Sequence, residues 1–224
     1  MAWKVVRRPP GVHVLKSRWV FAIKYNDDGS IKVVKARFVA CGYSQEEGSD
    51  YDKIFAATLP GVSFRILIAM IASEDLETDH IDAVKAFTQS LVDKTIYVDM
   101  PEGFGRGITK YSGYVLLLLK ALEGIKQGAF LWFQHNKRAW LKLGFEVWFG
   151  EPNIYLHKAL NVRVGVFADD ILTGYPKQYE QDYINIKKAY AKLIRIDRET
   201  LTPMIKFIGV QCDRDRSAGT ITLK

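Results

Sequence analysis

Apolar and polar residues alternate through SRWVFAIKYN (17–26) and again through IKVVKARFVA (31–40), with DDGS between them. Two such runs joined by a short segment containing Asp28-Gly29 predict a β-hairpin. Asp27 and Asp28 suit that turn, since aspartates beside a glycine satisfy their own backbone. An apolar stretch from Ser63 to about Ala72 predicts a helix with Ser63 as its cap. TDHIDA (78–83) reads as a short strand, VKAFTQSL as a turn or short helix, and TIYVDMP (95–101) as a strand. Gly103, Gly105 and Gly107 mark a loop. YVLLLLKAL (114–122) is a buried strand or the edge of a helix, which periodicity does not separate.

AFLWFQHNKRAWLKLG (129–144) predicts a helix ending at Gly144, with Trp132, Phe133, Trp140 and Leu143 on a core-facing side. NVRVGVFADDILTGY reads as two strands with Asp169-Asp170 at or near their junction. QYEQDYINIKKAYAKLI (178–194) predicts an amphipathic helix, and the C-terminal residues a hairpin turning at Ser217-Ala218-Gly219. Strands and helices intermix, which points to an α+β fold.

Asp169 and Asp170 interrupt an apolar run, and no Gly, Pro or Asn follows until Gly174. Carboxylates held side by side in such a setting repel and resist joint ionisation. A divalent cation relieves this, and hard oxygen donors favour Mg²⁺. Enzymes that handle phosphates hold two such ions about 4 Å apart. That arrangement needs a third carboxylate. Asp82 in HIDAVKAF, at a strand end, is the first candidate, with Asp79 and Asp99 as rivals.

Composition narrows the class. A 48% hydrophobic content over 224 residues suffices for a real core, as one large domain or two lobes. Lys and Arg number 32 against 25 Asp and Glu, a formal charge of +7. Such a balance suits a polyanion, most often nucleic acid, although many basic domains bind nothing in particular. Cys41 and Cys212 lack a metal-type spacing and read as free thiols of a reducing compartment. The N-terminal MAWKVVRRPPG has no apolar core segment, and ILIAMIA and VLLLL are too short to span a bilayer. An intracellular protein, cytoplasmic or nuclear, without a membrane partner is expected.

Six blocks then fall into a known order. WVFAIKYNDDGSIKVVKARFVACGYSQEEGSDYDKIFA parallels W-V-F-K-x-K, D-G-S, K-A-R-L-V-A-x-G-Y-x-Q, G-x-D-Y and F-A-P-V. HIDAVKAF parallels M-D-V-K-x-A-F, IYVDMPEGF parallels I-Y-M-x-x-P-x-G-F, and LEGIKQ parallels L-Y-G-L-K-Q. FADDIL parallels Y-V-D-D-I/L-L, and FIGVQCDRDRSAGTITL parallels F-L-G-I-x-I…G-x-I-x-L. The chain thus resembles the reverse transcriptase domain of Ty1/copia-type LTR retrotransposons, from Trp3 to Leu223.

The resemblance implies a polymerase right hand, with fingers mainly over 15–75 and palm mainly over 76–224. An antiparallel palm sheet would pack on helices, and a thumb, RNase H, integrase and protease are not evident. It implies an RNA-directed DNA polymerase that adds deoxynucleotides to a primer 3′-hydroxyl. Asp82, Asp169 and Asp170 match the family's catalytic aspartates, which hold two Mg²⁺ ions, with Mn²⁺ as a possible substitute. The partners implied are an RNA or DNA template-primer, deoxynucleotide triphosphates and other Pol polyprotein domains such as RNase H and integrase. Phe87 would pack under the sugar and discourage a 2′-hydroxyl. Lys35 and Arg37, two apart, share a strand face. With Lys24 they would form a basic surface over template or triphosphate. Arg65 survives from the family's arginine-containing block, and Lys126 and Gln127 would line the nucleotide or template side.

The chain also departs from the pattern. Pro60 stands where an arginine is expected, Glu123 replaces a tyrosine, and Gly128-Ala129-Phe130 replaces A-P-R. Thr88-Gln89-Ser90 replaces L-N-G, and Phe167-Ala168 replaces Tyr-Val. A carboxylate at Glu123 would repel incoming phosphates. These departures support a second reading, an inactive relic that at most binds nucleic acid. A metal-dependent nuclease is a third, which the KARF block opposes.

Overall fold

The computed structural model describes residues 1–26, 28–104, 113–204 and 206–224, so Asp27 of the hairpin turn and Gly105 and Gly107 of the glycine loop lie outside the described residues. In chain order the first strands are β1 (Trp3–Arg7), β2 (Val14–Leu15), β3 (Ser17–Tyr25), β4 (Ile31–Ala40), β5 (Glu77–Asp82), β6 (Tyr97–Val98) and β7 (Tyr114–Leu118). They are followed by β8 (Glu146–Trp148), β9 (Glu151–His157), β10 (Val162–Phe167), β11 (Asp170–Tyr175), β12 (Lys206–Phe207), β13 (Val210–Asp215) and β14 (Thr220–Leu223). The α-helices are α1 (Gly61–Ser73), α2 (Gly128–Lys142) and α3 (Glu180–Leu193). Sheets with a few helices make the mixed content that the α+β expectation requires. The chain divides into two units, Met1–Phe55 with Phe87–Trp132, and Ala56–Ala86 with Phe133–Lys224. Among the described residues no helix is long and apolar enough to cross a membrane.

In the first unit, β3 and β4 form the predicted hairpin, a two-stranded ribbon in the register Trp19↔Phe38, Phe21↔Ala36 and Ile23↔Val34. Alternation gives it two unlike faces. Trp19, Phe21, Ile23 and Tyr25 line one, and all four are exposed, Phe21 at 69%. Lys24, Lys35 and Arg37 line the other. A second sheet has the order β1-β7-β6-β2. β1 was not expected from its charged sequence, and it is held by pairing with β7, Trp3 opposite Leu118. The 114–122 run resolves as strand over Tyr114–Leu118, whereas only Tyr97 and Val98 of the 95–101 run are strand. Leu15, Val98, Leu116, Leu118, Leu122 and Ile125 form the core of this unit.

The second unit is built on the antiparallel sheet β5-β11-β10-β9-β8. α1 buries Phe64, Leu67, Ile68 and Ile71, and these join Leu76, Ile154, Leu172 and Phe207 in one core. The helix lies close because the strands beneath it carry glycines. A Cβ on Gly165 would stand 2.5 Å from Leu67, and one on Gly174 would stand 2.8 Å from Ile71. Ser63 does not cap α1. The cap position is Pro60, with no side-chain cap bond, and Ser63 Oγ donates to Glu151 instead, at 2.8 Å. The apolar face of α3 carries Tyr183 and Tyr190, both buried, and Tyr190 stacks on Trp140 of α2 at 4.2 Å. The C-terminal hairpin pairs β13 with β14, and Asp215 accepts from Ser217 Oγ and the Ala218 N–H at its turn.

Candidate active site

β5 and β11 are antiparallel neighbours in a register that sets Asp82 opposite Asp170, Ile81 opposite Ile171 and His80 opposite Leu172. Opposed residues share a face of the sheet, and neighbours along a strand alternate. Asp82, His80 and Asp170 therefore share one face, and Asp79 and Thr173 share the other. β11 is the return strand of a hairpin whose last pair is Phe167↔Asp170. Ala168 and Asp169 are left as a two-residue turn. Ala168 has φ 53, a left-handed position that costs a residue with a Cβ about 1 kcal/mol or more. The turn is tied to the end of β5 by the Ala83 N–H, which donates to the Asp169 carbonyl at 2.9 Å. So the aspartate pair stands at a strand junction, as expected, and three aspartates meet at one end of one sheet.

The electrostatics reflect this crowding. Partial burial, then the charges of Asp169, Asp197 and Asp170, hold the Asp82 carboxyl above the usual aspartate range. His80 Nε2 lies 3.0 Å from Asp170 Oδ1. That hydrogen bond, against the opposing effect of burial, raises the imidazole above its ordinary value, and the charges of Asp82 and Asp197 add to it. The donor chemistry, carboxylate oxygens on adjoining strand ends, suits a hard divalent cation. Among the described residues, however, no three His, Cys, Asp or Glu side chains converge closely enough to hold one. One oxygen of Asp170 is taken by His80.

The rival acids have other employment. Asp79 is 0% exposed and faces α3. Its carboxylate meets Lys187 Nζ at 2.8 Å and accepts from Tyr183 OH at 2.7 Å and the Thr202 N–H at 2.7 Å. Asp99 follows β6 in the first unit, where its N–H donates to the Leu15 carbonyl. An acid that sequence reasoning missed stands beside Asp82 instead. The Asp197 N–H donates to the Asp82 carbonyl at 3.0 Å, and the Asp82 N–H donates to Asp197 Oδ1 at 3.4 Å. In IDRET this aspartate reads as part of a solvated charge run, and no local signal marks it.

The remaining candidates divide. Lys24, Lys35 and Arg37 share one face of the ribbon, and Arg37 pairs with Glu123 at 3.5 Å. The carboxylate expected to repel phosphates is thus matched by a neighbouring guanidinium. Arg65 is exposed on α1, outside its buried stripe, and Phe87 is half-buried in a short 3₁₀ turn, Ala86–Gln89. Gln127 and Lys126 make internal contacts. Gln127 is fully buried, its Oε1 accepting from Gln45 at 2.9 Å and its Nε2 donating to the Asp50 carbonyl at 2.7 Å. Lys126 Nζ donates to the Gln45 carbonyl at 3.0 Å and lies 4.8 Å from the Tyr51 ring centre. Both fasten the 45–51 segment within the first unit, because a buried amide must spend its hydrogen bonds internally.

A family model described as reverse transcriptase (RNA-dependent DNA polymerase) matches residues 1–224. The chain is 34% identical over 175 residues to the retrovirus-related Pol polyprotein from transposon RE1 of Arabidopsis thaliana, covering 76% of this chain and 12% of that protein. It is 28% identical over 225 residues to the retrovirus-related Pol polyprotein from transposon TNT 1-94 of Nicotiana tabacum, covering 99% of this chain and 16% of that one. The chain therefore spans between 12% and 16% of the length of these two relatives. A solved foamy viral protease–reverse transcriptase in complex with double-stranded DNA is similar at a TM-score of 0.47 and 11% identity, over 92% of this chain and 30% of that one; a likeness that distant carries no argument.

Proposed function

The chain belongs to the reverse transcriptase (RNA-dependent DNA polymerase) family, and from that premise we propose that it is the fingers-and-palm part of a copia-type RNA-directed DNA polymerase, with Asp82, Asp169 and Asp170 as its catalytic carboxylates. The observation that carries the reading is the β5–β11 register, which opposes Asp82 to Asp170 while the hairpin turn holds Asp169 next to them. Two magnesium ions, when bound, would supply the charge that activates a primer 3′-hydroxyl and stabilises the pyrophosphate leaving group. Asp82 and Asp170 would hold them from adjacent strands, and Asp169 from the turn. Rigid strand ends suit this, since catalytic geometry must be kept within about half an ångström. Lys24, Lys35 and Arg37 offer phosphates of template or triphosphate a cationic ribbon face. Phe87 and Arg65 are the proposed nucleotide contacts.

The test is primer extension on a defined RNA template with Mg²⁺ or Mn²⁺, comparing the chain with Asp82→Asn and with Asp169→Asn plus Asp170→Asn. Template-dependent extension that disappears in both variants is expected. Extension that persists in them sinks the assignment.

One observation favours a second reading, nucleic-acid binding without synthesis. Pro60 begins α1 where the family pattern has an arginine, so one charge-assisted grip on phosphate is missing. Salt-sensitive binding of template-primer with no metal-dependent extension would decide for it.

A further inference from the structure

We propose that Asp197 is a positioning residue, clamping the end of β5 so that Asp82 stays opposite Asp170. The proposal deepens the polymerase reading and rests on it for its functional consequence. β5 is an edge strand of its sheet, and its last residue would ordinarily fray, with one side of its backbone unpaired. Repulsion from the opposed Asp170 adds to that tendency. The segment 195–204 covers this edge. The Val84 N–H donates to the Arg195 carbonyl at 2.9 Å, and Ala83 bridges Ile196. Asp197 then closes a reciprocal pair on Asp82, its N–H to the Asp82 carbonyl at 3.0 Å and its Oδ1 receiving the Asp82 N–H at 3.4 Å. Further along, the His80 N–H donates to the Thr202 carbonyl at 2.8 Å and the Met204 N–H to Thr78 Oγ1 at 3.1 Å.

The strap has a buried anchor. Lys187 Nζ lies 2.8 Å from Asp79 Oδ2 and donates to the Thr200 carbonyl at 2.8 Å, while the Thr202 N–H donates to Asp79 Oδ1 at 2.7 Å. Position is therefore passed from α3, through the strap, to the peptide groups of Asp82. Asp197 Oδ2 lies 3.7 Å from Arg198 Nε, a loose exposed ion pair.

Hydrogen exchange of the Asp82 amide by NMR, together with primer-extension kinetics, tests the clamp in the whole chain. Asn at 197 keeps a side-chain acceptor and loses the charge; Ala loses both. Asp197→Ala is expected to speed Asp82 amide exchange about tenfold and to lower kcat about tenfold, with KM for the triphosphate within about twofold, the usual scale for a residue that orients a functional carboxylate. Asp197→Asn should stay near the wild type in both. An unchanged Asp82 amide in the Ala variant overturns the proposal, as does an Asn variant as impaired as Ala, which would make the charge the active feature. Should the Ala variant fail to fold, Asp197→Ser, a weaker acceptor, should give intermediate exchange, and exchange equal to wild type overturns it. The exchange readout needs no turnover. A chain that extends no primer therefore removes the polymerase reading while the clamp is still judged on its amide.

Discussion

Asp82 on β5 is the direct cross-strand partner of Asp170 on β11. Like charges so opposed destabilise a sheet, and under the proposed assignment the fold keeps them at the expense of stability. Asp82→Asn should raise the stability of the metal-free protein, by up to about 1 kcal/mol, in urea unfolding, and Asp170→Asn should gain less, since it also weakens the bond to His80. The same variants should lose primer extension. A stability gain paired with an activity loss separates a working site from a merely tolerated pair.

Stability should fall as pH rises across two windows. His80 is raised above 6.5, chiefly by its hydrogen bond to Asp170. Its protonated form binds that partner in the fold, so its contribution is complete below its unfolded value and is lost as pH climbs through the folded one. Asp82 is raised above 3.8, chiefly by burial. An acid with a raised folded value also loses stability as pH rises, here from its unfolded value upward. His80→Gln should flatten the upper window and widen the lower one, because the charged imidazole otherwise draws Asp82 down. Urea midpoints between about pH 3 and about pH 8.5, which bracket an ordinary aspartate and an ordinary histidine, would measure this.

The Asp79–Lys187 pair is buried on both sides, 0% and 1% exposed. Removing one member strands the other charge, so Asp79→Asn or Lys187→Met should cost about 3 kcal/mol or more. Thermal unfolding of each single variant, with the double Asp79→Leu plus Lys187→Met recovering much of the loss, would show that pairing is what matters.

The basic ribbon face should contribute to nucleic-acid affinity without reading sequence. Lys24→Ala and Lys35→Ala are each expected to weaken binding similarly on unrelated sequences and to reduce the slope of log K against log salt by about 1. Fluorescence anisotropy at several salt concentrations checks both. An Arg37→Ala variant should change the slope less, since Glu123 already neutralises part of that charge.

Much of this arrangement could be read from the chain because local signals agreed with their setting. The hairpin at 17–40, the helices α2 and α3 and the strand junction at Asp169-Asp170 all carry their own periodicity or turn chemistry. β1 does not: Lys4 and Arg7 break its pattern, and pairing with β7 makes it a strand. Ser63 looked like a cap, but the chain turns into α1 at Pro60, three residues earlier. The motif around Gln127 carries no signal of which way its side chain points; its amide bonds Gln45 and Asp50. Asp197 was invisible because its meaning lies in contacts with a residue 115 positions away.

The aromatic stripe of the β3–β4 ribbon bears on the handling of the protein at the bench. Trp19, Phe21, Ile23 and Tyr25 present an oily strip on a ribbon that, among the described residues, pairs with no third strand, and such edges invite chains to add to one another. Concentrated preparations at high salt, where the +7 charge no longer holds copies apart, should cloud or elute early from a sizing column. A charged replacement at Phe21, the most exposed of the four, is the first remedy for anyone seeking crystals or spectra.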